Sequence, residues 1–477
     1  MPAAGEQFLL LNDFSGGLNL KDSPHFLRPN EAAECRNLIF ERTGEATVRR
    51  GYVLWGDTGT GQPVRGMHRF YGPMGPQLLV TSGGSIWLGD DSSGMFTEVA
   101  SDLQDEPMGA VTWGWKNVAF FGNGINDILV WNGGQMEALK DAPKGRFLAV
   151  HGNRLFVAGD SDSPTTLYWS ELGDYETWPA FNYAEADEEI TGIVSDYGRL
   201  FVFTPSRIQV FIGDGGLTTT HGIQTLLDGV GCVAPGSIAT WEGKTIFLAH
   251  DGVRVFDGSA SVIISRNIEP VIRNQTPQQR RDVTAAVHKG RYWLRWCDPT
   301  NRCIIYVYDL AGGWWTEFRG ISASYLLSLS GVEEADGLLS GDWQGRVYRQ
   351  DTGDTDDGEP IVSSWKSKVF TLAPGMALQY RRVSVEIQRM QGPMHVDWFT
   401  RSGARTGTIT LEPAPTGTVW GQFVWGQAPW SKNRPVVRRS PLPRGAVGQT
   451  IQLGIRQHGR GVWSNLTLQL WPKRRAR

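Results

Sequence analysis

One short phrase recurs along the middle of the chain at a nearly constant interval. A glycine opens an apolar strand at 152–157, 198–202, 243–248 and 290–294, and the four glycines are 46, 45 and 47 residues apart. A period of about 40–50 residues with several short strands in each unit is typical of a β-propeller. The repeat therefore predicts a ring of small antiparallel sheets.

The segment 231–272 shows the pattern most clearly. Short apolar runs are separated there by Glu242-Gly243, Asp251-Gly252 and Asp257-Gly258. Such pairs are hairpin signals, because glycine readily takes the positive φ that a tight turn requires. The whole region predicts about seven blade-like units, which we place at 64–100, 109–140, 145–180, 189–228, 234–272, 282–318 and 321–350.

Length and composition extend this prediction to the whole chain. The 477 residues include 59 glycines and 20 tryptophans, and no long segment has helical periodicity, so we expect an all-β protein of more than one domain. We divide it into an N-terminal arm (1–62), a β-propeller (63–350), an acidic linker (351–360) and a C-terminal β-sandwich-like domain (361–477). We also expect the arm to supply a strand that closes the ring.

The N-terminal arm is expected to hold one short helix and one hairpin. Asn30 can cap a helix over 29–37, and Glu31 and Glu34 suit the positive end of its dipole. The hairpin is expected to follow at 38–50, with Gly44 in its turn.

The C-terminal domain alternates apolar and polar residues, clearly at 383–387 and 451–455, as half-buried strands do. A long loop-like insertion at 420–443 interrupts this pattern, and the chain ends in a basic tail at 472–477. Arginine and tryptophan are common contact residues at interfaces. The candidate contacts with a neighbouring subunit or with the tip of a DNA molecule are Trp425, Trp430, Arg434, Arg438 and Arg439.

Charge is distributed unevenly along the chain. Residues 360–477 hold 18 Lys and Arg against three acids, a net charge of +15, whereas residues 1–359 carry a net charge of −18. Such asymmetry marks a boundary near 355–365 and suggests that the two parts meet different surroundings. An evenly solvated basic surface is the simpler alternative.

Metals, cofactors and a disulfide framework are not expected. Cys297 and Cys303 can face each other across a hairpin, but we expect both to be reduced, and no CxxC pair indicates zinc. The linker fits a calcium loop poorly, since Glu359 and Trp365 stand where an EF-hand that begins at Asp354 needs glycine and a bidentate glutamate.

The sequence also predicts no enzymatic activity. The eight histidines show no metal-binding spacing, and no nucleophile elbow or phosphate-binding loop is present. The segment 170–178 is similar to the turn motif of sialidase propellers, with its Asp and Gly displaced. That motif is structural in sialidases, so a glycan-cleaving enzyme remains the least favoured alternative.

Several of these phrases resemble one family of tailed-phage proteins. The opening residues 12–20, 27–32, 36–38 and 49–52, together with turn-and-strand phrases spread through the propeller region, are similar to the tail nozzle of short-tailed phages. This family is also called tail tubular protein B, the tail hub or the packaged-DNA stabilisation protein. The phrases within the propeller region are 167–174, 231–237, 251–258, 264–266, 286–292 and 340–348.

The resemblance implies a virion structural protein that is made in the host cytoplasm and built into the tail. Six copies would form a ring below the portal and its head-to-tail adaptor, and would retain packaged double-stranded DNA until ejection. Tail fibres or spikes and the host envelope are further implied partners. A receptor-binding or fibre-anchoring tail protein is the main alternative.

Overall fold

The computed structural model describes residues 7–42, 44–196, 198–213, 221–274, 276–297, 303–329, 337–372, 377–400, 405–412 and 435–472. The fold is all-β, as predicted, and short antiparallel strands dominate it. The two α-helices in these ranges, α1 (Glu269–Arg273) and α2 (Pro277–Arg281), are one turn long. None of the described helices has the length and apolar character needed to cross a membrane.

The N-terminal residues form six strands. These are β1 (Gln7–Leu11), β2 (Gly17–Leu18), β3 (Glu31–Arg36), β4 (Leu38–Ile39), β5 (Glu45–Val48) and β6 (Tyr52–Asp57).

Five four-stranded antiparallel sheets follow in chain order, and the strands within each are joined by consecutive hairpins. They comprise β7 (Val64–Gly72), β8 (Gly75–Ser82), β9 (Ser85–Gly89) and β10 (Phe96–Ala100); β11 (Gly109–Trp113), β12 (Val118–Gly122), β13 (Ile128–Trp131) and β14 (Met136–Leu139); β15 (Phe147–His151), β16 (Arg154–Ala158), β17 (Thr166–Trp169) and β18 (Tyr183–Glu185); β19 (Gly192–Asp196), β20 (Arg199–Phe203), β21 (Arg207–Ile212) and β22 (Gly222–Asp228); β23 (Ala239–Trp241), β24 (Lys244–Ala249), β25 (Gly252–Phe256) and β26 (Ser261–Ile263).

The recurring glycine phrase marks the turn between the first and second strands of a sheet. Gly152 and Asn153 connect the paired residues His151 and Arg154, and both have positive φ, 52° and 59°. Glu242-Gly243 and Lys289-Gly290 form turns of the same kind. A two-residue turn with two positive φ angles matches the twist of a hairpin, so the period in the sequence is a period of turns.

The first strands of the sheets lie side by side around the ring. β7 contacts β11, β11 contacts β15, and β15 contacts β19. Where β19 meets the fifth sheet, Ile238 packs directly against Gly192, which has no side chain. Apolar side chains fill the spaces between successive sheets, as in a β-propeller.

A sixth small sheet closes the ring. It combines β31 (Tyr325–Leu329), β32 (Gly337–Gly341) and β33 (Arg346–Gln350) with the N-terminal strand β6, which pairs with β33 in antiparallel fashion. The prediction that the N-terminal arm supplies a strand to the ring is thus confirmed. Because β6 precedes the propeller in the sequence and completes its last sheet, the ring cannot open at this point without breaking strand pairing.

The prediction of about seven separate units is corrected to six small sheets. The strands of the 282–318 unit are β27 (Thr284–His288), β28 (Arg291–Cys297), β29 (Cys303–Asp309) and β30 (Trp315–Phe318). β27 touches both β23 and β31 within the ring. However, β30 continues through β3 into an 11-stranded sheet with the C-terminal strands, so this unit does not form a sheet of its own.

The predicted helix at 29–37 is wrong, because these residues form strand β3. Ala32 and Cys35 are fully buried there, and β3 pairs with β2, β30 and a C-terminal strand. These sheet bonds and the burial of the apolar face outweigh a local preference for helix, which is weak over so short a segment. The following hairpin is confirmed, with Leu38 opposite Val48.

Two short strands after the ring, β34 (Thr355–Asp356) and β35 (Glu359–Pro360), extend the sixth sheet beside β6. The remaining C-terminal strands join two sheets that both contain N-terminal strands. They are β36 (Val362–Ser367), β37 (Phe370–Thr371), β38 (Leu378–Met390), β39 (Met394–Thr400), β40 (Arg405–Leu411), β41 (Val436–Pro441), β42 (Val447–Gly448), β43 (Thr450–His458) and β44 (Gly461–Pro472). One sheet has the order β4-β5-β44-β38-β41, with β1 also on β44, and the other runs β3-β36-β43-β39-β40. Phe14, Trp365 and Trp463 meet edge to face in the core between them.

The expectation of reduced cysteines at the β28–β29 hairpin is also corrected. Cys297 and Cys303 are directly opposite each other, as predicted, with their Cα atoms 4.0 Å apart, and their sulfur atoms form a disulfide. Cys35 and Cys232 are free and buried.

Candidate interaction surface

The predicted contact residues separate into two groups. Trp425, Trp430 and Arg434 lie outside the described residues. The end of the predicted 420–443 loop is corrected to a strand, because Arg438 and Arg439 lie on β41, the last strand of the β4-β5-β44-β38-β41 sheet, where they pair with Val385 and Ser384 of β38. The candidate site is therefore the surface of this sheet.

Neighbouring arginines on β41 point to opposite faces, because side chains alternate along a strand. Arg438 is opposite Val385, which is fully buried on the core side of β38. Arg439 is opposite Ser384 and is exposed on the outer side. The two residues were predicted as one contact, but only Arg439 faces outward from the sheet.

A shallow groove of about 470 Å³ crosses the outer face of this sheet. Phe8 of β1, Arg382 of β38, and Val437 and Arg439 of β41 line it, and we call these four residues the basic patch. Hydroxyl and amide groups complete the lining. They belong to Ser384, Asn465, Thr467 and Gln469, together with the carboxylate of Glu386.

Arg382 and Arg439 have no ion-pair partner among the described residues, which distinguishes them from other arginines nearby. The one carboxylate in the groove, Glu386, accepts a hydrogen bond from the Asn465 amide instead. Phe8 and Val437 are about half exposed beside the two guanidinium groups. The patch thus presents two free positive charges and apolar surface together, a combination typical of interface residues.

The outer face of the other sheet has a second groove, of about 370 Å³, but its charges are satisfied. Arg456 donates two hydrogen bonds to Asp397, at 2.6 and 2.9 Å, and Thr408 donates a third. Burial raises the pKa of Asp397, but the hydrogen bonds from Arg456 and Thr408 outweigh it, so the net shift is downward. Lys366 lies over the ring of Phe399 at 4.3 Å, so this groove offers little free charge to a ligand.

The acidic linker is partly neutralised within the chain. Asp354 accepts hydrogen bonds from Arg389 and Arg460, at 3.1 and 3.3 Å, and Asp351 accepts one from Lys289 at 2.6 Å. Across the described ranges no group of three or more His, Cys, Asp or Glu side chains is arranged to hold a metal ion.

The buried titratable groups are poorly suited to chemistry at neutral pH. Burial raises the pKa of Cys35 to about 12 and that of Cys232 to about 11, so both thiols stay protonated and are weak nucleophiles. Burial also lowers the pKa of His68 to about 4, and its neutral ring is hydrogen-bonded to Thr112. In the 170–178 segment, Asp174 accepts bonds from the Glu176 amide and the Thr177 hydroxyl, which is a turn-stabilising role.

The structure shows a second candidate surface that the sequence did not predict. In an antiparallel four-stranded sheet, the turn between the first and second strands and the turn between the third and fourth lie at the same end. In the first three sheets, these turns cover 73–74, 90–95, 114–117, 132–135, 152–153 and 170–182, and we call them the loop face. The exposed large apolar side chains on it are Met74, Met95, Trp115, Leu172 and Phe181.

The turns of the loop face are connected from one sheet to the next. Gln77 of the first sheet donates to the carbonyl of Gly133 in the second and accepts from the Trp131 indole, both at 2.9 Å. Tyr175 of the third sheet packs edge to face on Phe120 of the second. Trp115 is 93% exposed, because its short 3-10 turn holds it away from the sheet. The five apolar residues lie in four turns of three different sheets, and the only signal visible in the sequence was a tryptophan, Trp115, placed in a turn.

Comparison with known proteins adds no assignment. No family description matches the sequence, and no curated protein matches it.

Proposed function

We propose that this protein is a structural component of a phage tail, the nozzle or hub that surrounds the DNA exit channel and retains packaged DNA until ejection. Six copies form a ring that contacts the portal and adaptor on one side and tail fibres or spikes on the other. The protein is made in the host cytoplasm and acts in the virion. It has no enzymatic activity and needs no cofactor.

The observation that carries this proposal is the charge separation, with a net −18 in residues 1–359 and +15 in 360–477. An acidic wall lets DNA pass, because it cannot make the phosphate contacts that release counterions and hold DNA in place. The basic end then serves to join copies. The resemblance of the 12–52 and propeller phrases to tail nozzle proteins supports the same function.

The architecture supports a rigid assembly role. The ring is closed by β6, and the two C-terminal sheets share a core with residues 7–48. We infer that these two sheets act as a sandwich-like domain fixed to the propeller by the continuous β30–β3–β36 pairing. A subunit built in this way transmits force along the tail without a flexible joint at this position.

The test is negative-stain microscopy of the purified protein, alone and mixed with the portal–adaptor complex of its phage. We expect six-fold rings with a central hole that cap the adaptor. Single propeller discs that ignore the adaptor would contradict the proposal. If such discs bound glycans, they would support the receptor-binding alternative, and turnover of sialosides would identify an enzyme.

A further inference from the structure

We propose that the loop face of one copy binds the basic patch of a second copy, so that the ring is held together by head-to-tail contacts between two different surfaces. This inference rests on the proposed ring and names the surfaces that form it. Neither surface is covered by another described part of the same chain.

The loop face is acidic as well as apolar. Its turns contain five carboxylates and one ammonium group, that of Lys116. Two of the carboxylates, Asp91 and Glu171, form ion pairs with Arg69 and Arg154, so the unpaired acidic charge belongs to the other three. Hydrogen bonds from the backbone and hydroxyl groups of Ser92 and Ser93 lower the pKa of Asp90. The Glu176 amide and the Thr177 hydroxyl do the same for the pKa of Asp174, so both side chains are charged at neutral pH. The carboxylates are Asp90, Asp91, Glu171, Asp174 and Glu176.

The basic patch has the complementary properties. Arg382 and Arg439 need acidic partners, and Phe8 and Val437 supply apolar surface in the same groove. Charge complementarity steers such surfaces together, and the apolar residues gain from leaving water. DNA is a poorer occupant, because two arginines beside apolar side chains offer few phosphate contacts, and the acidic loop face would still lack a partner.

Contact between two identical surfaces is disfavoured. Two basic patches would bring positive charges together, and two loop faces would bring negative charges together. The remaining arrangement joins the patch of one copy to the loop face of the next. A contact between two different surfaces produces a closed ring when its rotation closes, and a filament when it does not.

The experiment uses two charge-reversed full-length chains, Glu176→Arg on the loop face, which keeps the turn-stabilising Asp174, and Arg382→Glu/Arg439→Glu on the patch. All three side chains are exposed, so both chains should fold, and circular dichroism checks this. We expect each variant alone to require at least a tenfold higher concentration for ring formation, measured by mass photometry. An equimolar mixture should recover rings of alternating copies, because the reversed surfaces are again complementary.

Matched controls lie away from both surfaces. Arg281→Glu changes an exposed arginine on α2, and Phe26→Ser removes an exposed aromatic ring comparable to that removed by Trp115→Ser. We expect only Trp115→Ser to weaken assembly. This interface is wrong if both charge-reversed variants form rings at the same concentration as the wild-type chain, or if their mixture stays monomeric. Either result leaves the proposed nozzle in place.

A wild-type chain that never forms rings would contradict both the interface and the nozzle. Duplex DNA that binds the patch in competition with assembly would assign the patch to DNA.

Discussion

Arg49 and Asp356 form a nearly buried, two-pronged ion pair between residues 307 positions apart in the sequence. Both bonds from the guanidinium to the carboxylate are 2.7 Å long, and Arg49 is 2% exposed. Its remaining donors bond to Asn37 and to the carbonyls of Arg50 and Arg319. One side chain thus connects the N-terminal residues, the acidic linker and the end of β30.

Replacing either partner of this pair should destabilise the protein strongly. Arg49→Ala leaves the Asp356 carboxylate without its cation, and loss of one partner of a buried pair costs about 3–5 kcal/mol. Arg49→Lys should rescue little, because an ammonium group cannot reproduce the planar five-donor pattern. Urea denaturation measures the effect, and Arg50→Ala, at an exposed neighbour, is the control that should change little.

Asp351 should make stability depend on acid pH. Burial alone would raise its pKa, but hydrogen bonds from His288 and Lys289 bring it down to about 2. Because the folded pKa lies below the unfolded value, the stabilisation is present above pH 4 and is lost as the pH falls towards 2. Asp351→Asn should therefore lower the free energy of unfolding by about 1–3 kcal/mol at pH 7, and the difference from wild type should shrink between pH 4 and 2. A constant difference across that window would contradict this role for Asp351.

Gly198 tests the turn that generates the sequence period. Its φ is +69°, and no atom lies within 4 Å of the position that a Cβ would take. Gly198→Ala should cost about 1 kcal/mol through backbone strain alone. Gly222→Ala meets equally open space without a positive φ, so it should be neutral, and thermal melting of the two variants compares them directly.

The disulfide between Cys297 and Cys303 predicts a count of free thiols. Alkylation of the denatured, unreduced protein should label two cysteines, Cys35 and Cys232, as mass spectrometry would show. Labelling of all four would mean that the pair is reduced. Since the cross-link closes a short loop, Cys297→Ser/Cys303→Ser should lower the free energy of unfolding by only about 2 kcal/mol.

The two arginines of β41 should behave differently in assembly. Arg439→Glu reverses a charge on the outer face and should raise the concentration needed for rings severalfold. Arg438→Glu places its charge on the opposite face and should leave that concentration nearly unchanged, apart from any loss of stability seen in melting. Equal effects on assembly would exclude the outer face as the contact surface.

The sequence alone determined the turns and hairpins, because these depend on only a few neighbouring residues. The turns at Gly152, Gly243 and Gly290 need residues that accept positive φ, so their spacing located the blade strands to within a few residues. The hairpin of Leu38 and Val48 was predictable for the same reason. Strand alternation on β41 separates Arg438 from Arg439, but the sequence placed both in a loop-like insertion, and only the pairing with β38 shows that they lie on a strand.

The tertiary structure decided what depends on distant partners. Residues 31–36 form a strand because β36 and β30 pair with them, and the sequence of the segment itself does not predict those partners. Arg382 and Arg439 are free while Arg456, Arg389 and Arg460 are paired, a difference that depends on which carboxylates the fold brings within reach. The loop face likewise exists only because ring closure places turns between 73 and 182 on one side of the propeller. Sequence patterns encode backbone geometry over a few residues, whereas charge pairing and surface composition are set by residues that meet only after the chain has folded.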